Sequence, residues 1–86
     1  MKNMWIFNTI KFRILESFLL NIWYVQINQE GSHVKYELAW KTLIVPKYKE
    51  ISRWTLNNIF KIISLHKSLD KIEVEKEFLK IYKKNK

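Results

Sequence analysis

The side chains best suited to proton transfer in this sequence are two histidines, His33 and His66, which stand far apart and belong to no metal-ligand motif. His33 follows Asn28-Gln29-Glu30-Gly31-Ser32, a stretch with turn chemistry, so its imidazole reads as solvated. His66 closes an apolar run and reads as the terminus of a helix or strand rather than as a base. The absence of cysteine removes disulfides, thiolate zinc sites and cysteine nucleophiles together. A metal centre would then need both histidines to converge with carboxylates. Glu73, Glu75 and Glu77 form a carboxylate cluster, yet helical spacing turns Glu75 away from the other two. Glu73 and Glu77 are placed instead to pair with Lys76 and Lys80 on a solvated face. A single glycine cannot build a phosphate-cradling loop. These residues read as a protein that is not an enzyme, with no cofactor, no bound metal and no small-molecule substrate.

Binding chemistry is better represented. Sixteen Lys and Arg against eight Asp and Glu give a net charge of +8 on 86 residues. Most of that excess follows Val45, where Lys47, Lys49 and Arg53 have Glu50 as their only acidic neighbour. Lys61, Lys67, Lys80, Lys83 and Lys84 continue the trend, and residues 83–86 form a basic tail. Such a surface attracts a phosphate backbone through Coulomb forces and counterion release. Those eight residues are the candidate nucleic-acid contacts.

Composition bears on origin. Phe, Tyr, Met, Ile, Asn and Lys, which have AT-rich codons, fill about half of the chain, whereas Gly and Pro occur once each. An AT-rich genome is expected: an organelle, a reduced endosymbiont or parasite, or a phage. The same bias favours Lys over Arg, although Arg suits phosphate recognition better.

The elements that must carry these residues read as follows. Residues 4–20 fit an amphipathic helix, with Phe7, Ile10, Ile14, Leu15, Phe18 and Leu19 on one face. Trp5 falls outside that stripe and is assigned, with Phe7 and Phe12, to partner contact. Residues 22–45 fit a hairpin, in which Trp23, Val25 and Ile27 alternate, as do Val34, Tyr36, Leu38 and Trp40, and Pro46 closes the second strand. Residues 51–65 fit a second hairpin turning at Asn57-Asn58 better than a helix, because as a helix their apolar residues scatter around the whole circumference. Residues 70–84 give a clean amphipathic helix, with Asp70 and Glu73 at capping-box spacing and only Glu75 on the apolar half. Trp23, Trp40 and Trp54 lie in alternating apolar patterns that point to the core. The expected architecture is α+β, one small domain over residues 1–86 with an N-terminal helix, one or two β-hairpins and a C-terminal amphipathic helix.

No segment reads as a membrane span, since Met4 to Ile27 carries Lys11, Arg13 and Glu16. Its wide apolar faces nevertheless exceed what so small a core encloses, which implies burial against another molecule.

The second half resembles the small-subunit ribosomal protein nineteen family in its bacterial and organellar form. Leu43-Ile44-Val45-Pro46-Lys47-Tyr48 looks like that family's strand ending in a proline, and Leu56-Asn57-Asn58 looks like its Tyr-Asn-Gly turn. Lys76-Glu77-Phe78 looks like its Gly-Glu-Phe segment, and a basic tail follows in both. The family's Ser-Arg-Arg cluster is replaced by Ala39-Trp40-Lys41-Thr42. The resemblance implies binding of ribosomal RNA, with Lys47, Lys49 and Lys83 in matching basic regions.

The function expected from residues and resemblance is a structural component of a ribosome, in a mitochondrial or other organellar matrix or in the cytoplasm of a host with an AT-rich genome. Its partners would be structured RNA and neighbouring proteins of a large assembly. Two other readings stand beside it: a small subunit of a mitochondrial respiratory complex in contact with membrane, and a phage-encoded inhibitor of a protein or nucleoprotein target.

Overall fold

Alternating burial is cleanest along two short strands in the middle of the chain, and it fixes which side of the sheet faces the helices. In the computed structural model, which describes residues 8–85, these are β3 (His33–Leu38) and β4 (Lys41–Pro46). The full order is β1 (Thr9–Lys11), α1 (Phe12–Asn21), β2 (Val25–Glu30), β3, β4, β5 (Glu50–Ser52), α2 (Arg53–Lys67) and α3 (Lys71–Asn85). This is the expected α+β class. Trp5 and Phe7 lie outside the described residues.

Strands β2, β3 and β4 form an antiparallel meander in that order. Val34 and Tyr36 of β3 sit opposite Val45 and Leu43 of β4, and all four are buried. The neighbouring positions His33, Lys35 and Ile44 are exposed on the other face. The expected single hairpin over 22–45 is therefore three strands. The second connection is hidden in the sequence because Ala39 and Trp40 make it with φ of 49° and 73°, without glycine or asparagine. The first connection is Gly31-Ser32, where Gly31 at φ 58° occupies the position that a type II′ turn reserves for glycine. A bulge between Gln26 and Asn28 interrupts β2, and every β2 residue is exposed.

The reading of 51–65 as a hairpin is overturned: α2 is a fifteen-residue helix. Its buried residues, Leu56, Ile59, Phe60 and Ile63, keep the i, i+3, i+4, i+7 spacing of one helix face. Trp54, Ile62 and Leu65 blurred that stripe because they are apolar yet exposed. Ser52 caps the helix, its hydroxyl accepting from the Thr55 amide at 3.2 Å. Ser68 ends it in the left-handed conformation, with the Leu69 amide donating to the Ser64 carbonyl at 3.0 Å.

The N-terminal helix is shorter than expected. Residues 9–11 pair with β5 instead, Ile10 opposite Ile51, and both are buried. From α1, Ile14, Leu15, Phe18 and Leu19 enter the core. Helix α3 falls where its wheel predicts, burying Val74, Phe78 and Ile81. Glu75 is nearly buried as well, and Lys71 pairs with it at 2.9 Å one helical turn away. One ring from each helix meets at the centre. Phe18 and Phe78 are edge to face at 5.3 Å, Phe60 and Phe78 stand 5.2 Å apart, and Phe18 and Phe60 6.0 Å apart.

Polar ties join the layers. The Tyr36 hydroxyl donates to Glu16 of α1 at 2.9 Å. Burial and that carboxylate push the Tyr36 hydroxyl well above the ordinary tyrosine range. Among the described residues no helix is long and apolar enough to cross a membrane.

Candidate active site

The outward face of the meander collects the polar chemistry. At the Gly31-Ser32 turn, His33 opens β3, opposite Glu30 on one side and Pro46 on the other. Strand periodicity returns the chain to this face at Lys35, which sits opposite Asn28 of β2 and Ile44 of β4. Asn28, Glu30, His33, Val34, Lys35 and Ile44 line a depression of about 420 Å³. Register alone thus gathers an imidazole, an ammonium, a carboxylate and an amide, all exposed to solvent. An imidazole there can serve in proton transfer, and the Lys35 ammonium beside it can offset charge on a phosphate.

His66 has a different environment. Its Nδ1 is hydrogen-bonded to the Tyr24 hydroxyl at 2.9 Å, and its backbone carbonyl accepts from Lys41 Nζ at 2.9 Å. Partial burial, and then the Lys41 charge, lower its pKa, so the ring is held neutral. Burial pushes the Tyr24 hydroxyl up to about 12. His66 is a joint between the sheet and α2, in keeping with its place in the last turn of a helix. Among the described residues, no three His, Asp or Glu side chains come together as a metal-ligand set.

The eight basic candidates do not form one patch. Lys47 adjoins the His33 turn, its amide donating to the Ser32 carbonyl at 2.5 Å. Its ammonium turns to the Gln29 side-chain oxygen at 3.2 Å and lies 5.9 Å from the Phe12 ring centre. Lys49, between β4 and β5, and Arg53, the first residue of α2, are both exposed. Lys80, Lys83 and Lys84 gather elsewhere, lining a shallow depression with Asn21 and Glu77. Lys80 is paired there with Glu77 at 3.3 Å. Lys61 is exposed on α2, while Lys67 donates to the Ile22 carbonyl at 3.2 Å and serves a joint rather than a free surface.

The aromatic assignments change most. Phe12, expected at a partner surface, is 9% exposed and belongs to the core. Trp23, Trp40 and Trp54, expected in the core, are 77%, 91% and 78% exposed. Leading into and along β2 the alternation that pointed inward marks an exposed row, Trp23, Val25 and Ile27, while Tyr24 between the first two is buried. A hydrophobic alternation reports two faces without saying which one is covered.

Lys35 is the residue that sequence reasoning passed over, and His33 was read there only as a solvated turn imidazole. The available signal was their spacing: two positions apart directly after a Gly-Ser turn, they had to share a strand face.

A sequence model of the HicA toxins of bacterial toxin–antitoxin systems matches residues 13–65, from α1 almost to the end of α2 and including His33 and Lys35. No curated protein and no solved structure matches. The match overturns the resemblance to ribosomal protein nineteen, whose turn at Asn57-Asn58 also lies within a helix. With it go the ribosomal and non-enzymatic role, the ribosomal RNA and assembly partners, and the organellar matrix. The respiratory-subunit and phage-inhibitor readings are displaced by the same finding.

Proposed function

The chain belongs to the HicA toxin family of bacterial toxin–antitoxin systems, and on that premise we propose that it is an RNA-cleaving toxin with His33 as its proton-transfer group. Toxins of this family are mRNA-cleaving endoribonucleases that pair with a HicB antitoxin. One observation carries the assignment: inside the matched residues, register places His33 on an open sheet face with Lys35, Glu30 and Asn28.

The chemistry that suits this face is attack by the ribose 2′-oxygen on its own 3′-phosphate. His33 takes the 2′-hydroxyl proton as the new oxygen–phosphorus bond forms. The bond from phosphorus to the 5′-oxygen breaks, and that oxygen leaves with a proton from water, giving a 2′,3′-cyclic phosphate and a 5′-hydroxyl. Lys35 offsets the charge that gathers on the phosphoryl oxygens in the transition state. Glu30, directly across from His33 in the register, is placed to orient the imidazole. Lys47, Lys49 and Arg53, beyond the turn, hold the flanking phosphates.

The test is cleavage of a single-stranded oligoribonucleotide by the purified chain and by His33→Ala. A positioned acid–base group contributes about 10²- to 10⁴-fold. A loss of that size, with an unchanged far-ultraviolet dichroism spectrum and cyclic-phosphate ends in the parent reaction, supports the reading. Undiminished cleavage by His33→Ala overturns it.

A further inference from the structure

From the end of β4 into the first turn of α2 the chain carries two exposed rings among its cations: Tyr48 is 56% exposed and Trp54 78% exposed, with Lys47, Lys49 and Arg53 beside them in the chain. Neither ring belongs to the hydrophobic core formed by the described residues. Exposing two large aromatics to water brings no gain in folding, so their cost is recovered where something flat covers them.

The segment is fixed relative to the cleavage face. Pro46 is the cross-strand partner of His33, and the Lys47 amide is bonded to the Ser32 carbonyl in the His33 turn. A cross-strand step of about 5 Å plus two residues of chain place the Tyr48 backbone within about 12 Å of His33. That is a reach of a few nucleotides along a strand. Trp54 stands in the first turn of α2, six residues beyond Tyr48, and the hydrogen bond from the Arg53 amide to the Asn8 carbonyl at 2.9 Å anchors its backbone.

We infer that Tyr48 and Trp54 form a base-stacking subsite, with Lys47, Lys49 and Arg53 on the phosphates, that restricts this enzyme to unpaired RNA. The charge matches a polyanion, and the rings match nucleobases, whose faces are open only where the strand is unpaired. In a duplex those faces are occupied by neighbouring bases, and the rings would meet only backbone. The inference deepens the RNA-cleaving reading and rests on it for the position of the scissile phosphate.

The experiment compares one labelled oligoribonucleotide, single-stranded and annealed to its complement, as substrate for the parent chain, Tyr48→Ala, Trp54→Ala and the Phe variants at both positions. Binding to the same two probes is measured with His33→Ala, so that affinity is read without cleavage. Each Ala variant is expected to weaken single-strand binding and raise KM by about 5- to 150-fold, the effect of one stacked base. The Phe variants are expected to restore most of it, and kcat to change little. The slope of affinity against salt stays the same, since no cation is removed. The duplex is expected to bind and be cut at least tenfold less well. Equal use of duplex and single strand, or unchanged KM in both Ala variants, overturns the subsite, as does loss of binding to a protein antitoxin with RNA affinity intact. Failure of the RNA-cleaving reading shows separately, as cleavage that survives in His33→Ala, while the binding comparison still decides whether the rings stack on RNA.

Discussion

The hydroxyl of Tyr24 and Nδ1 of His66 lie 2.9 Å apart, joining the entry to the sheet to the last turn of α2 across 42 residues of sequence. Beside them, Lys67 donates to the Ile22 carbonyl and Lys41 to the His66 carbonyl, so the joint is held at three points. Because partial burial and Lys41 lower the His66 pKa in the folded chain, protonation favours unfolding. The contribution is present in full above the ordinary histidine value of about 6.5 and is lost as pH falls from there through the lower folded value. Urea midpoints should therefore drop between about pH 7 and pH 5. In His66→Gln, which keeps a hydrogen-bonding group but cannot titrate, that drop should be much smaller, and an identical profile would show that other groups cause it.

The Ala39-Trp40 connection should improve on substitution. Both residues hold left-handed φ, and the Trp40 side chain is 91% exposed. Replacing the pair with Asn-Gly, the preferred residues for this turn, should raise stability by about 1–2 kcal/mol, read as a higher denaturation midpoint at constant slope.

Phe78→Ala should be severe. It removes the ring that touches both Phe18 and Phe60 and leaves a void among three helices. Losses of about 3–5 kcal/mol follow such truncations, a large share of what a chain this size has. Phe78→Leu should retain most of the stability, and thermal melts of the two variants would measure the difference.

The Lys71–Glu75 pair should respond unequally to its two single substitutions. Lys71→Ala leaves the nearly buried Glu75 carboxylate without its cation, whereas Glu75→Leu puts an apolar side chain on the buried half of α3. The first should destabilise by about 1–2 kcal/mol and the second should be neutral or stabilising. The reverse order in urea titrations would refute this account.

Lys35→Ala should lower kcat/KM for RNA by about 10²-fold, the effect of removing one transition-state donor, while Lys35→Arg should recover part of it. Lys49→Ala should instead weaken binding and reduce the salt slope by about one. If Lys35→Ala affects only binding, its place at the scissile phosphate is wrong.

What could be read from the sequence followed from where polar residues lie. Helix α3 was visible because its solvent face carries Lys76, Glu77, Lys80, Lys83 and Lys84, leaving the stripe of Val74, Phe78 and Ile81 distinct. Helix α2 was hidden because Trp54, Ile62 and Leu65 are apolar and exposed, so hydrophobicity and burial part company there. The β3–β4 turn was hidden because its left-handed residues are Ala39 and Trp40, types that seldom take that conformation. The cluster of Lys47, Lys49 and Arg53 after Pro46 was legible as a basic stretch, and all three are exposed. His33 was visible, but its neighbours were not: Asn28 and Glu30 join it only through a register set partly by the bulge in β2.

The three-ring cluster also constrains how the molecule can be divided. Phe78 belongs to α3, beyond the stretch matched by the toxin family, yet it fills the space between Phe18 and Phe60, which lie inside that stretch. The matched stretch is therefore not an autonomous unit in this protein. Cutting the chain after Ser68 would leave two core rings bare, and α3 cannot melt away while α1 and α2 stay folded. Cooperativity of unfolding, and with it resistance of the chain to proteolysis, depends on the helix that carries none of the proposed chemistry.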